Sequence, residues 1–446
     1  MKSASKVSNT NNNHPEHVPH LLVSDPEGSM FEIPELLMAG MEGLEPVLPE
    51  REDIIELPYG SDLFLLPDRV PVGYDPEEEE FVLLPEYEGT PVYPVATFMA
   101  PAHMQLLLPA YEEREHAAPL PLYSYTAAGW SDGKTFAAGI RIDNDIRQDL
   151  AYVDFGEIEA RAPKIISRYE GNRLVRHLVE NCALCYGCPA ARNFVLGRWE
   201  CPVPTSRQCN AACVGCISAQ PAGTGVRPAQ DRIAFVPTAD EIVQFTVPHL
   251  EEAEDPVISF GQGCEGEPLL YSGLLEEAIR GIRKDTSRGV INLNTNGSLP
   301  DAVERLCTAG LDSIRISMNS AQKELYDRYY RQRSYAFEDV LESVRTAGER
   351  NVWVSLNYFI FPGLTDSPEE TASLFRLLEE GNIDMIQTRN INIDPYMYLR
   401  ILGFERAPDS GAGGMHSWLG EVRRRFPHIR LGYFNPGVKV IASSRG

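Results

Sequence analysis

Residues 290–319 read VINLNTNGSLPDAVERLCTAGLDSIRISMN, and this stretch decides the fold class. Val290–Leu293 is an apolar run of strand length, a helix is predicted over Pro300–Ala309, and Ser313–Ser317 is a second strand-length run. A strand, a helix and a strand in this order indicate a parallel β-sheet, because parallel strands need a crossover connection between them.

The same alternation continues on both sides of this unit. Together the segments give about six βα units, which fit either a doubly wound sheet or a partial barrel. No GxGxxG motif follows the first strand, which argues against a dinucleotide-binding fold. We therefore predict an α/β protein with a partial (βα)6 TIM-like barrel, in which ligands bind at the carboxyl ends of the strands. The further predicted strands are Arg198–Pro202, Val257–Phe260, Val352–Ile360 and Met385–Ile393, and the main further helices are Ala239–Glu252, Pro268–Arg283 and Pro368–Glu380.

The first 120 residues have a different character from the rest. They carry 23 acidic and 5 basic residues and 16 of the 34 prolines, and their short apolar runs suggest strands. An acidic, β-containing domain is therefore expected before the barrel. The predicted division of the chain is a disordered tail (1–20), an acidic Pro-rich accessory domain (21–150), a cysteine-rich linker with an auxiliary metal site (151–205), the barrel (206–400) and a C-terminal extension (401–446).

Composition narrows the class of protein. Hydrophobic residues make up 43% of the 446 residues, as expected for a globular chain, and no apolar run approaches the roughly 20 residues that span a bilayer. The N-terminus lacks the apolar core of a secretory signal, so a cytoplasmic location is expected. The net charge of −24 argues against broad nucleic-acid binding, because it would repel a phosphate backbone.

Seven of the nine cysteines fall between residues 182 and 216. In a reducing compartment such clustering indicates metal binding rather than disulfides. Cys209, Cys213 and Cys216 lie within eight residues and can hold one metal centre. A [4Fe–4S] cluster takes four ligands, so three thiolates leave one iron open to a small molecule, whereas structural zinc sites are usually closed by four ligands.

The segment CNAACVGC (209–216) resembles the CxxxCxxC signature of radical S-adenosylmethionine (SAM) enzymes, and it follows the predicted first strand, as in that family. The loop GQGCEGEP (261–268) after the next strand resembles the family's glycine-glycine-glutamate-proline loop, with Glu265 in place of the first glycine. The resemblance covers about residues 195–395. It implies cofactor contacts from Gly266, Glu267, Pro268, Asn294, Ser317, Asn319 and Gly363.

The resemblance implies an enzyme whose catalytic centre is a [4Fe–4S] cluster on Cys209, Cys213 and Cys216. The reduced cluster would cleave SAM and yield a 5′-deoxyadenosyl radical that abstracts hydrogen from a substrate. The family usually has an aromatic residue before its third cysteine, where this chain has Gly215. Packing against adenine must then come from elsewhere in the chain.

A second cysteine group precedes this loop. Cys182, Cys185 and Cys188 have the spacing CxxCxxC, and Cys201 follows them before a proline. This pattern resembles bacterial ferredoxin sequences and predicts an auxiliary [4Fe–4S] cluster. A structural zinc site on the same four thiols is the alternative.

Two other classes of function compete with the enzyme. One is a non-catalytic iron–sulfur electron-transfer or scaffold protein, which would bind no SAM. The other is a zinc-stapled interaction protein, which would be colourless. For the enzyme, the expected partners are a small-molecule or peptide substrate and an electron donor such as a flavodoxin or ferredoxin, with no nucleic acid and no membrane span.

Overall fold

The computed structural model describes residues 18–404 and 413–445. The predicted tail therefore lies almost wholly outside the described residues, as do residues 405–412 of the predicted C-terminal extension. Strand β1 already begins at His20, the last residue of the predicted tail.

The N-terminal part is an antiparallel β structure, as the short apolar runs predicted. Its largest sheet has eleven strands, with eight of them in the order β12-β16-β15-β11-β1-β2-β7-β14 and β5, β6 and β8 paired to its members. The sixteen strands are β1 His20–Ser24, β2 Met30–Met38, β3 Gly40–Glu42, β4 Glu45–Val47, β5 Ile54–Glu56, β6 Asp62–Leu65, β7 Arg69–Asp75, β8 Glu80–Leu83, β9 Glu86–Tyr87, β10 Thr90–Pro91, β11 Tyr93–Phe98, β12 His103–Gln105, β13 Leu108–Pro109, β14 Tyr111–Glu113, β15 Thr126–Ser131 and β16 Lys134–Arg141.

The segment predicted as a linker is largely helical. It folds as α1 (Phe155–Arg168), α2 (Arg173–Arg176), a π-helix (His177–Cys185) and α3 (Pro189–Val195). π-Helical turns are rare and occur frequently at functional sites. This π-helix was not predicted, because its apolar residues have no clear helical period.

The second half contains a parallel sheet of seven strands in sequential order, β17 to β23. The order never reverses, which excludes a doubly wound sheet and confirms the predicted partial barrel. The strands are β17 Glu200–Val203, β18 Val257–Phe260, β19 Val290–Thr295, β20 Ser313–Met318, β21 Trp353–Ile360, β22 Met385–Asn390 and β23 Arg430–Gly432. The helices are α4 Ala239–Glu252, α5 Ser272–Asp285, α6 Pro300–Ala309, α7 Lys323–Tyr330, α8 Phe337–Glu349, α9 Pro368–Glu380, α10 Pro395–Leu402, α11 Gly414–Arg425 and α12 Val438–Arg445.

The seventh strand, β23, was missing from the prediction. It has three residues and pairs with the start of β22, from Met385 opposite Arg430 to Gln387 opposite Gly432. A strand this short shows no periodicity, so only pairing with a neighbour reveals it.

No helix of the described residues is long and apolar enough to cross a membrane.

The β domain sits against the carboxyl ends of the last barrel strands. Gln105 of β12 donates two hydrogen bonds to the barrel: its backbone N–H donates to Asn390 Oδ1 at 2.9 Å, and its side-chain amide donates to the Ile360 carbonyl at 2.9 Å. Arg69 forms an ion pair with Asp394 at 2.7 Å, and both side chains are almost fully buried. The two parts share one continuous apolar core. This docking places the β domain over one side of the barrel mouth.

Candidate active site

The cysteine loop 209–216 follows β17 and is held in place by the end of α7. The backbone N–H groups of Ala212 and Val214 donate to the carbonyls of Tyr330 and Tyr329, at 2.9 and 3.2 Å. Asn210, inside the loop, donates to Ser298 Oγ at 2.9 Å and is buried. The protein thus fixes the backbone of this loop and leaves its thiols free.

The three thiols of the loop are partly buried and free of disulfides. Burial raises the pKa of Cys209 to about 11, with a further contribution from the charge of Glu267. Burial and then the charges of Cys209 and Cys216 raise the pKa of Cys213 well above its usual value. The charges of Cys209 and Cys216 thus oppose ionisation of Cys213, and a cationic metal centre would offset that effect and hold the thiols deprotonated. The donor set therefore fits an iron–sulfur cluster.

Arg232 provides a positive charge at this loop. Its Nη2 lies 3.6 Å from Cys216 Sγ, and its Nε donates to Ser218 Oγ at 3.2 Å. Sequence reasoning missed this residue, because it lies 16 positions after Cys216 in an irregular segment. The local sequence offered no signal that could have found it.

Tyr329 explains the departure at Gly215. A Cβ on Gly215 would overlap the Tyr329 hydroxyl, so the buried tyrosine fills the space next to the third cysteine. The Gly215 carbonyl also accepts a hydrogen bond from Asn392 Nδ2 at 3.2 Å. Position 215 therefore has no room for a side chain unless Tyr329 moves.

The loop 261–268 runs directly beside the residues that precede the cysteines. Gly266 N–H donates to the Ser206 carbonyl at 2.8 Å, and a Cβ on Gly266 would overlap the Gln208 carbonyl. Gly261 has φ +77° and would overlap Asn294 with any side chain. Two positions of this loop thus require glycine because other backbone segments approach closely.

Glu265, which stands where the family has glycine, links the two segments. Its carboxylate accepts hydrogen bonds from the backbone N–H groups of Thr205, Ser206 and Gln262, at 2.7, 2.8 and 2.7 Å. Burial raises its pKa to about 7, against the opposing effect of these hydrogen bonds. A carboxylate with these donors serves a structural role by holding the loop against residues 205–206.

The carboxylate of Glu267 is hydrogen-bonded to other residues of this chain. Its carboxylate accepts hydrogen bonds from Thr295 Oγ1 at 2.5 Å, Asn296 N–H at 2.9 Å and Leu269 N–H at 3.0 Å. Burial raises its pKa to about 7. Pro268 is buried and opens a 3-10 turn that Glu267 caps. The predicted contact of Glu267 with SAM stays a prediction.

The other predicted cofactor residues lie at the carboxyl ends of β19, β20 and β21. Asn294 is buried and donates to the Gly261 carbonyl at 2.9 Å. Ser317 pairs in register with Asn357 of the next strand. The side-chain oxygens of Asn319 and Asn357 are shielded from solvent and have no hydrogen-bond partner. Such unpartnered oxygens fit a polar ligand, and Asn357 was absent from the prediction.

Gly363 lies at the contact with the β domain. Its φ is +87°, its N–H donates to Asp366 Oδ1 at 2.7 Å, and a side chain there would overlap the backbone of Gly43. Gly43 in turn donates to the Pro362 carbonyl at 2.7 Å. The accessory domain therefore covers the turn that the resemblance assigns to adenine.

The second cysteine group is arranged differently from the predicted four-thiol set. Cys182 lies 3.9 Å from Cys264, measured between the sulfurs, and a ring nitrogen of His177 completes a group whose ligand atoms all lie within 4.8 Å. Cys185 is exposed, and the buried Cys201 has its sulfur 4.0 Å from the Pro202 carbonyl. The spacing of the cysteines did not reveal His177, because it lies on the preceding turn of the π-helix.

The described residues combine a sequential parallel βα sheet with a loop of three free thiols after its first strand. The matching family model is "Radical SAM superfamily", over residues 203–375. The match covers the cysteine loop and the barrel strands β18 to β21.

Three relatives show the extent of the likeness. The "Dual-specificity RNA methyltransferase RlmN" of Xanthomonas campestris pv. campestris (strain B100) is 23% identical over 175 residues, which is 37% of this chain and 42% of that protein. The "FeMo cofactor biosynthesis protein NifB" of Klebsiella pneumoniae is 25% identical over 179 residues, or 37% of this chain and 38% of that protein. The solved structure of a radical SAM methyltransferase from Sphaerobacter thermophilus has 16% identity and a TM-score of 0.37, covering 52% of this chain and 66% of that one. The chain thus spans about two fifths of the length of the curated relatives.

Proposed function

We propose that this chain is a radical SAM enzyme that binds a [4Fe–4S] cluster through Cys209, Cys213 and Cys216. One observation carries the proposal. A loop with three free, partly buried thiols follows the first strand of a sequential parallel sheet and packs against the glycine-containing loop of the second strand. The family model spans both loops.

The residues of this chain would divide the work as follows. The three cysteines hold the cluster, and the backbone of Gly266 together with the side chains of Ser317, Asn319 and Asn357 surround SAM. When bound, the two cofactors supply reductive cleavage of SAM and a 5′-deoxyadenosyl radical for hydrogen abstraction. Tyr329 borders the cluster loop, and Asn294 and Glu267 fix the ends of the strands. The role of the protein is placement and exclusion of water.

We infer the chemical class of the substrate from the net charge of the chain. One relative is named as an RNA methyltransferase and another as a cofactor biosynthesis protein, but their matches cover only about two fifths of each protein. A chain with a net charge of −24 repels a nucleic-acid backbone. We therefore propose a small-molecule or peptide substrate, a flavodoxin or ferredoxin as electron donor, and a cytoplasmic location. The outcome, whether methylthiolation, cyclisation, rearrangement or oxidation, depends on that substrate.

The segment 177–201 is proposed to hold a second metal centre. The cysteine spacing predicts an auxiliary [4Fe–4S] cluster or a zinc ion bound by Cys182, Cys185, Cys188 and Cys201. The closeness of Cys182 to His177 and Cys264 supports a metal centre there and favours a different ligand set.

The test is anaerobic purification followed by an assay for 5′-deoxyadenosine with dithionite and SAM. We expect wild type to be brown and to form 5′-deoxyadenosine, and Cys213→Ala to lose both the cluster and the product. Cys307→Ala is the matched control, because Cys307 lies in α6 outside both cysteine groups. It should retain colour and product.

The alternatives predict other results. An iron-loaded, reduced wild type that cleaves no SAM and shows no SAM binding by equilibrium dialysis would favour an electron-transfer or scaffold protein. A colourless wild type that contains zinc and cannot be reconstituted with iron would favour a zinc-stapled interaction protein. Either result would overturn the proposed function.

A further inference from the structure

The π-helix and the loop 261–268 meet at a buried group of metal-binding atoms. A ring nitrogen of His177 and the sulfurs of Cys182 and Cys264 all lie within 4.8 Å of one another. Both thiols are buried, at 3% and 6% exposure, and both are free. His177 Nε2 is shielded from solvent and has no hydrogen-bond partner. Two sulfurs and an imidazole at this separation form a donor set typical of zinc.

The distance between the sulfurs is compatible with a zinc centre. Zinc–sulfur bonds of about 2.3 Å at a tetrahedral ion place two thiolates roughly 3.8 Å apart. The sulfurs of Cys182 and Cys264 are 3.9 Å apart. A disulfide would bring them to about 2.05 Å. The spacing therefore fits two thiolates on one tetrahedral ion.

Cys188 is the proposed fourth ligand, and its sulfur lies outside the group of atoms within 4.8 Å of one another. Its backbone N–H donates to the Cys182 carbonyl at 2.8 Å, so the chain turns back on itself here. The side chain is partly buried, and its thiol is free of disulfides. Three thiolates and one imidazole close a tetrahedral structural zinc site.

We propose that His177, Cys182, Cys188 and Cys264 bind one Zn²⁺ ion that joins the π-helix to the loop 261–268. The ion neutralises the thiolates that the fold brings together, and it fixes the loop at Cys264. Its binding is independent of SAM. We also expect the ion to affect the binding of SAM, because it fixes the position of Gly266. This second expectation rests on the proposed function.

The experiment counts metals in the full chain after anaerobic purification from zinc-containing medium. We expect about one zinc and about four irons per wild-type chain. The double variant Cys182→Ser with Cys264→Ser should lose zinc and keep iron. The triple variant Cys209→Ala, Cys213→Ala, Cys216→Ala should lose iron and keep zinc, and Cys307→Ser should keep both.

Three results would overturn the site. The first is a wild type that contains no zinc. The second is a double variant that retains zinc, and the third is a double variant that loses iron instead of zinc. The last would make these residues cluster ligands. Because zinc and iron are counted separately, a failure of the zinc site is distinguishable from a failure of the proposed function.

Cobalt exchange keeps the proposal testable if the double variant does not fold. Co²⁺ in place of zinc should give wild type a thiolate-to-cobalt charge-transfer absorption, and Cys188→Ser should weaken it. The exposed neighbour provides the control, since Cys185→Ser should leave the absorption unchanged. No such absorption in cobalt-treated wild type would contradict the site, and an unchanged intensity in Cys188→Ser would exclude Cys188 as the fourth ligand.

Discussion

At the scale of single residues, Arg232 places a positive charge beside the cysteine loop 209–216. Its guanidinium lies 3.6 Å from Cys216 Sγ. Hydrogen bonds and positive charge near cluster sulfurs favour the more negative, reduced state and raise the reduction potential. The residue therefore bears on how easily a donor can reduce the centre.

We expect Arg232→Gln to make the cluster harder to reduce. Loss of the cation should lower the midpoint potential by on the order of 60 mV, equivalent to about a tenfold change in the one-electron equilibrium constant. The measurement is a redox titration followed by electron paramagnetic resonance. Arg227→Gln, an exposed change in the same irregular segment, is the control. Equal potentials in both variants would show that Arg232 does not act on the cluster.

The contact between Gly215 and Tyr329 allows a second test at the scale of single residues. Gly215→Ala should reduce cluster loading, because the new methyl group overlaps the Tyr329 hydroxyl. Tyr329→Phe removes that oxygen, so the double variant should recover most of the iron. The readout is iron per chain after identical reconstitution. If the double variant loads no better than Gly215→Ala alone, the overlap is not the cause.

At the scale of elements, His249 couples α4 to the beginning of β17. The imidazole is buried, and its Nε2 lies 3.1 Å from the Trp199 carbonyl. Burial lowers its pKa to about 4, against about 6.5 for an exposed histidine. The folded state therefore holds this side chain neutral.

This lowered pKa predicts a loss of stability in acid. The unfolded chain takes up a proton below about pH 6.5 and the folded chain only near pH 4, so stability falls across that window. At pH 5 the contribution amounts to about 2 kcal/mol. His249→Gln should flatten the dependence of the urea midpoint between pH 7.5 and pH 5, whereas the exposed His428→Gln should not. Parallel pH profiles for wild type and His249→Gln would refute this.

At the scale of the whole molecule, a buried ion pair joins the β domain to the barrel. Arg69 and Asp394 are 1% and 0% exposed, and Asp394 also accepts hydrogen bonds from Leu120 N–H and Met397 N–H. Removing one member leaves the other charged, buried and unpaired. The pair thus makes the position of the accessory domain depend on a barrel residue.

Arg69→Ala should therefore destabilise the whole chain by about 3–5 kcal/mol. The exposed pair of Lys134 and Glu56, at 2.7 Å, is the comparison, and Lys134→Ala should cost at most about 1 kcal/mol. Urea denaturation followed by circular dichroism measures both. Similar midpoints for the two variants would show that the interface does not depend on this pair.

Much of the barrel was predictable because its signals are local. The strand Val257–Phe260 and the helices Ala239–Glu252, Pro300–Ala309 and Pro368–Glu380 have the predicted bounds, since apolar runs, prolines and caps act over a few residues. The β domain could be predicted only as short strands. Its register depends on pairing between distant segments, such as β1 with β15.

The sequence by itself determined the order of strands and helices and the spacing of Cys209, Cys213 and Cys216, since both are properties of neighbouring residues. Only the tertiary structure decided which distant groups meet. Cys264 lies 82 positions from Cys182, and Asp394 lies 325 positions from Arg69. Such contacts arise when packed elements bring side chains together. Spacing along the chain carries no information about them.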